Sequence, residues 1–143
     1  MEYNSVEPRL SAYLHARACK NGTPLAGNFE LTPRCNFNCK MCYVHLTEAE
    51  QRRRGAELTA DEWLAIAEQA RARGMLFLLL TGGEPLIRPD FRYLLTELKK
   101  MGLLVSVNTN GSLIDADWLD FFRREPPFRF NITLYGASND AYE

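Results

Sequence analysis

Three of the chain's four cysteines stand in one short run, Cys35-Asn36-Phe37-Asn38-Cys39-Lys40-Met41-Cys42. Thiolates are soft ligands that suit zinc or iron–sulfur clusters. A loop of this length can fold back so that all three sulfurs face one centre. A structural zinc takes four ligands, often as two separated pairs, whereas here one triplet stands without a second pair. A triplet leaves one coordination position free of protein sulfur. That is odd for a structural metal and useful for a cluster that must bind a small molecule at one iron. Two other chemistries stay open. Cys19 or His45 could complete a non-catalytic zinc module. A ferredoxin-like electron carrier is the third possibility, although such proteins use a fourth cysteine and tighter Cys-x-x-Cys steps.

Further polar stretches follow apolar runs downstream. In Thr81-Gly82-Gly83-Glu84-Pro85 the two glycines would let backbone approach a ligand closely, and Glu84 could accept hydrogen bonds from an ammonium group or be a surface carboxylate in a tight turn. Asn108-Thr109-Asn110-Gly111 contains an ordinary turn signal. In the segment from Asn131 to Ser138, alternation places Asn131, Thr133 and Tyr135 on one face. No Ser–His–Asp set and no paired carboxylates stand out.

The elements that must position these residues follow from hydrophobic spacing. Leu10, Tyr13, Leu14 and Ala18 fall at helical intervals before Asn21-Gly22, which predicts a helix within a preamble of residues 1–26. His15 and Cys19 share that helix. They could be a metal pair, but a buried thiol and a surface or packed imidazole is the simpler reading. Residues 28–32 alternate and predict the first strand, from whose end the cysteine run departs. The connection from there to Leu58 is long enough to be functional or partly helical. Thr59-Ala60-Asp61-Glu62 is a capping box, with Leu58 placed to staple onto Trp63. Ile66, Ala67 and Ala70 continue the apolar face, and Gly74 ends the helix. Residues 75–80 form a continuous apolar run, as expected of a parallel strand covered on both sides.

The scheme then repeats. Phe91, Leu94, Leu95 and Leu98 form a helical stripe, and residues 103–107 a third strand. Asp115 caps a helix bearing Trp118, Phe121 and Phe122, Pro126-Pro127 stops it, and residues 128–134 form a fourth strand. Strands alternating with helices predict a parallel α/β sheet with right-handed crossovers. The cysteine run, Gly82-Gly83, Asn110 and Tyr135-Gly136-Ala137-Ser138 then lie at the carboxyl ends of successive strands, the edge at which such sheets bind ligands.

Cys-x-x-x-Cys-x-x-Cys after a short strand, with Gly-Gly-Glu-Pro after the second, resembles the radical S-adenosylmethionine (radical SAM) superfamily over residues 29–143. The resemblance implies a partial or complete (β/α) barrel. It implies that Cys35, Cys39 and Cys42 hold a 4Fe–4S cluster, and that SAM chelates the fourth iron. By the same resemblance Gly82, Gly83 and Glu84 bind the methionine amino group of SAM. The Met41 backbone lies near the adenine, and Asn110 is placed beside SAM. Thr133 is the candidate contact to its ribose or carboxylate. The family's reaction is a one-electron cleavage of SAM to a 5′-deoxyadenosyl radical that takes hydrogen from a substrate carbon, with electrons from a donor such as flavodoxin or ferredoxin. Cys42-Tyr43 and the Leu134-Tyr135-Gly136-Ala137-Ser138 segment lean toward maturases of peptides or proteins, with cofactor-biosynthesis enzymes the near alternative.

Composition bounds these readings. At 143 residues and 46% hydrophobic content, the chain can bury a core. A net charge of −1 gives no nucleic-acid surface, and Arg52, Arg53 and Arg54 read as a solvated face. No run is long enough to span a membrane. A clustered cysteine triplet with no secretory signal favours metal binding in the cytoplasm. The family core usually has six strands and four are readable here, so the expectation is the N-terminal portion of that core, over residues 27–143, cut after the fourth strand. Such a piece would expose an edge strand and associate when expressed alone.

Overall fold

Each strand pairs in parallel with the next one in the sequence. The computed structural model describes residues 9–44, 46 and 48–134. The first eight residues, His45 with its possible zinc role, and the Tyr135-Gly136-Ala137-Ser138 segment lie outside the described residues. The strands are β1 (Ala26–Glu30), β2 (Phe77–Thr81), β3 (Leu104–Thr109) and β4 (Arg129–Ile132), in one sheet of order β1-β2-β3-β4. The helices are α1 (Arg9–Asn21), α2 (Glu48–Arg54), α3 (Ala60–Ala72), α4 (Phe91–Lys100) and α5 (Ala116–Arg124), with a 3₁₀ turn at Pro85–Ile87. This is the α/β arrangement the alternation implies, with α3, α4 and α5 as crossovers.

Local chemistry explains where the helices begin. The Thr59 side chain accepts from the Glu62 N–H, and the Glu62 side chain accepts from the Thr59 N–H, so the capping box is closed at α3. Asp115 accepts from the Trp118 N–H at 2.9 Å and starts α5. In α4 the stripe Phe91, Leu94, Leu95 and Leu98 is fully buried. Burying each such side chain stabilises the fold by on the order of 2 kcal/mol. These residues pack with Phe29, Leu78, Leu80, Val105 and Val107 from the sheet, and with Ala67, Phe121 and Phe122 from the other crossovers. Trp63 packs on Phe29 with ring centroids 4.7 Å apart, and Phe122 meets Phe130 at 4.7 Å.

Strand ends differ from the sequence expectation by one or two residues, because pairing and not local pattern sets them. β1 lies two residues earlier than 28–32, in register from Ala26 opposite Phe77 to Glu30 opposite Thr81. The Leu31 N–H still donates to the Thr81 carbonyl, but Thr32 turns its hydroxyl to Glu57 and the ladder stops. β2 loses Met75 at its start, since the Met75 N–H is spent on the Ala70 carbonyl at the end of α3.

The apolar run of β2 is also covered differently. Leu78 and Leu80 are buried, while Phe77, Leu79 and Thr81 are half-buried. One face of the sheet carries the crossover helices. The other meets α1 at its lower end, where the His15 ring stacks on Phe77 at 6.1 Å. Higher on that face the exposed Asn131 donates to Asn108 across the β3–β4 pair at 2.7 Å. The Cys19 thiol is exposed, not buried, because its neighbour Ala18 is the residue turned inward. Among the described residues no helix is long and apolar enough to cross a membrane.

Candidate cofactor site at the carboxyl edge of the sheet

Four parallel strands in sequential order put the segments that leave β1, β2 and β3, and the residues just after β4, along one edge. They enclose a cavity of about 300 Å³. Cys35, Cys39, Met41 and Cys42 line it from the first segment, Gly82 and Gly83 from the second, Asn110 from the third and Thr133 from beyond β4. Every residue proposed for the site from sequence stands on this wall except Glu84. A larger cavity of about 520 Å³ lies beyond Tyr43 and Val44, which it shares with the first, and is lined by Arg52, Arg54 and Trp63. It contains none of the three clustered cysteines.

The two glycines hold the entry of the cysteine loop by backbone contact. The Gly83 N–H donates to the Thr32 carbonyl at 2.7 Å, and the Glu84 N–H to the Arg34 carbonyl at 2.8 Å. A Cβ on Gly83 would fall 2.9 Å from the Pro33 carbonyl oxygen and nearer still to that of Arg34. Gly82 has φ +138°, a conformation side chains disfavour, and a Cβ there would strike the Thr32 carbonyl. The Gly-Gly step is therefore required by the close approach of two backbones. Within the loop the Cys42 N–H donates to the Cys39 carbonyl at 3.0 Å. The Phe37 N–H donates to the Cys35 sulfur at 3.4 Å. Met41 is 73% exposed and presents its side chain at the rim.

Glu84 is not among the residues that line the cavity. Its side chain is fully buried. Oε1 accepts from the Leu86 N–H at 3.0 Å and from the Thr109 hydroxyl at 2.8 Å, and Oε2 accepts from the Asn110 N–H at 2.7 Å. All three partners are donors, the set an ionised carboxylate accepts. The group ties the β2 loop to the end of β3 from behind the cavity wall.

A second charged network, missed at the sequence level, braces the other side of the loop. Arg88, only 5% exposed, donates to the Leu31 and Leu58 carbonyls at 2.9 and 3.0 Å. It also grips Asp90 with two hydrogen bonds of 2.9 and 2.7 Å. Those bonds hold the Asp90 carboxyl below its ordinary range. Arg34 donates to both oxygens of Glu57 at 2.8 and 3.0 Å, and Thr32 donates to it at 2.6 Å. Burial pushes the Glu57 carboxyl up, but the hydrogen bonds from Arg34 and Thr32 outweigh it and leave the group lowered. The Glu57 carboxylate raises Arg34 in turn. The only sequence signal for these residues was Arg88-Pro89-Asp90, an opposite-charge pair two apart in a proline turn.

Asn110 does not reach freely into the cavity. Its amide donates to the Asn36 side chain at 2.9 Å and to the Cys35 sulfur at 3.8 Å, while Ser112 donates to its oxygen. Thr133 is exposed, with its N–H on the Thr109 carbonyl at 3.2 Å.

All four cysteines are free thiols. Among the described residues no three His, Cys, Asp or Glu side chains already stand as a metal-binding group. The donor set nevertheless fits an iron–sulfur cluster. Three soft ligands face one cavity from a single short loop, and Cys35 already receives two N–H donors of the kind that surround cluster sulfurs.

The sequence profile of the Radical SAM superfamily matches residues 29–143. A PqqA peptide cyclase from Streptomyces rochei is 38% identical over 96 residues, 67% of this chain and 26% of that protein. A probable GTP 3′,8-cyclase from Pyrobaculum aerophilum is 30% identical over 108 residues, 76% of this chain and 34% of that protein. Among solved structures, Streptococcus suis SuiB bound to precursor peptide SuiA superposes with a TM-score of 0.70 at 22% identity, over 99% of this chain and 32% of that one. The last likeness is one of fold. The chain spans about a quarter to a third of the length of these relatives.

Proposed function

The chain belongs to the radical SAM superfamily, and on that premise we propose that it supplies the cofactor-binding part of an enzyme acting on a peptide or protein. Its reaction is reductive cleavage of SAM to methionine and a 5′-deoxyadenosyl radical that abstracts hydrogen from a substrate carbon, with a 4Fe–4S cluster as the source of the electron. Cys35, Cys39 and Cys42 hold that cluster. Gly82 and Gly83 present backbone to the methionine end of SAM. The Met41 backbone lies toward the adenine, and Thr133 toward the ribose or carboxylate. Glu84 acts indirectly, by fixing the Asn110 backbone and the 3₁₀ turn that follow the cavity wall. No side chain is needed as an acid or base. The protein's share is to bind, orient and exclude competing reactions.

The observation that carries this reading is convergence. Residues from three loops and from the end of β4, picked out by type and spacing, line one cavity. The peptide-cyclase relative supports a peptide substrate. The GTP-cyclase relative, which aligns over a larger share of the chain, supports a small-molecule substrate as the second reading. An electron donor of the flavodoxin or ferredoxin type completes the scheme. A reducing cytoplasm suits a chain whose cysteines are all thiols.

Anaerobic reconstitution with iron and sulfide tests it. The expected result is a reduced 4Fe–4S EPR signal that shifts on addition of SAM and is lost in Cys39→Ala. Zinc bound at one per chain, or a cluster whose spectrum ignores SAM, would count against it. Competition between a precursor peptide and GTP for the reconstituted protein separates the two substrate readings.

A further inference from the structure

We propose that Asn110, Asn36 and Ser112 form a closed positioning ring that aims an amide N–H at the Cys35 sulfur and so raises the reduction potential of the cluster the three cysteines hold. The inference rests on the cluster reading above and deepens it.

One backbone group fixes every polarity in the ring. The Ser112 N–H donates to Asn110 Oδ1 at 2.9 Å. A backbone N–H cannot accept, so that atom must be the amide oxygen. The Ser112 hydroxyl donates to the same oxygen at 2.7 Å. The amide nitrogen is thereby turned toward the cysteine loop. It donates to Asn36 Oδ1 at 2.9 Å and to Cys35 Sγ at 3.8 Å. Asn36 closes the circuit by donating to Ser112 Oγ at 2.8 Å. Each side-chain oxygen accepts and each amide nitrogen donates, so rotating any one member breaks two bonds.

The ring also has a rigid footing. The Asn110 N–H is held by the buried Glu84 carboxylate at 2.7 Å. The donor aimed at Cys35 is therefore mounted on the sheet, while Asn36 ties the cysteine loop to it. Reducing an iron–sulfur cluster adds negative charge that the ligand sulfurs share. An N–H donor on a sulfur stabilises the more negative state and raises the potential. Asn110 is thus a positioning and tuning residue, and Asn36 and Ser112 hold its aim.

The test is the midpoint potential of the reconstituted cluster, followed by EPR. Asn110→Leu keeps the shape and removes the donor. It is expected to lower the midpoint by at least a tenfold change in the reduction equilibrium, 59 mV for a one-electron couple. Asn36→Ala and Ser112→Ala leave the donor but free its aim, and are expected to lower the midpoint by a smaller amount. In the metal-free protein the Asn110 side-chain amide signals should lie away from the positions of solvated asparagines in a ¹H–¹⁵N spectrum, and move toward them in Ser112→Ala. A wild-type midpoint in Asn110→Leu overturns the proposal. Should that variant fail to assemble a cluster, unchanged midpoints in both Asn36→Ala and Ser112→Ala overturn it. A wild-type protein that binds no iron–sulfur cluster overturns the reading beneath it as well, an outcome distinct from cluster assembly with an unmoved potential.

Discussion

Replacing Glu84 by alanine separates a structural strut from a ligand-binding carboxylate. The substitution deletes the acceptor of three hydrogen bonds, from the Leu86 N–H, the Thr109 hydroxyl and the Asn110 N–H, at a side chain with no exposure. The three losses are unequal. Leu86 is 5% exposed, so its N–H has little access to water. The Thr109 hydroxyl can rotate, and Asn110 is half-buried at the cavity wall. Hydrogen bonds to charged groups contribute about 1.5–3 kcal/mol each, and a stranded buried donor costs about 1–3 kcal/mol. One full and two partial losses therefore amount to roughly 3–5 kcal/mol, against a total of about 5–15 kcal/mol for a domain.

Glu84→Gln keeps the volume but turns an NH₂ against donors, for a cost of about 2 kcal/mol. Thr109→Val removes one donor, and in a double-mutant cycle it should recover part of the alanine penalty. Urea unfolding followed by tryptophan fluorescence is the assay, since Trp118 sits in an aromatic cluster with Phe91, Phe121 and Phe122. An alanine variant within about 0.5 kcal/mol of wild type, the size of an ordinary surface change, that binds SAM more weakly would refute the strut and restore the carboxylate as a direct ligand.

The contacts around the site and the caps yield three more tests. Gly83→Ala forces backbone against backbone and should cost about 1–3 kcal/mol as overpacking, with cluster content on reconstitution falling in step; a variant of normal stability and normal iron content counts against the close approach. Asp115→Ala removes the cap of α5 and should cost about 1 kcal/mol, read as a lower melting temperature with little change in the iron–sulfur signal. The third concerns acid. Asp90 and Glu57 are both lowered in the folded state, so their contribution is complete above the unfolded values of about 4 and is lost as pH falls through the folded ones. Asp90→Asn should flatten the fall in urea midpoint below about pH 5, and parallel curves for variant and wild type would count against the Arg88 pairing.

The sequence was most legible where structure is local. The Thr59–Glu62 box, the Asp115 cap and the Phe91–Leu98 stripe each depend on residues within one or two turns, and each stands as read. The strand ends were less legible, because Met75 has the composition of a strand but its N–H closes a helix. Glu84 shows the limit at the site. Its motif says that it matters, and only the fold says that its carboxylate is buried on the Leu86 and Asn110 N–H groups and the Thr109 hydroxyl. The bonds from Asn36 to Asn110 and Ser112 and from Arg88 to Leu31 and Leu58 join residues far apart in the chain, and beyond the Arg88-Pro89-Asp90 charge pair no local pattern announces a partner. The exposed Cys19 was misread although the helical stripe already ran through its neighbour Ala18, the residue that turns inward.

The pairing order carries a consequence for how the chain assembles. Ala26 of β1 meets Phe77, which lies 51 residues later. Phe77 meets Leu104 after 27 residues, and Ser106 meets Arg129 after 23. Closing a loop twice as long costs about 0.6 kcal/mol more in chain entropy, and the long loop is the one that contains all three clustered cysteines. Chain entropy therefore predicts that β2, β3 and β4 condense first and that β1 docks last, with the thiols still on an open tether. Pulse-labelled hydrogen exchange would show early protection at Leu80 and Val107 and late protection at Phe29. Simultaneous protection of all three would contradict that order. On this path the wall made by Gly82, Gly83 and Asn110 exists before the cysteine loop closes over it.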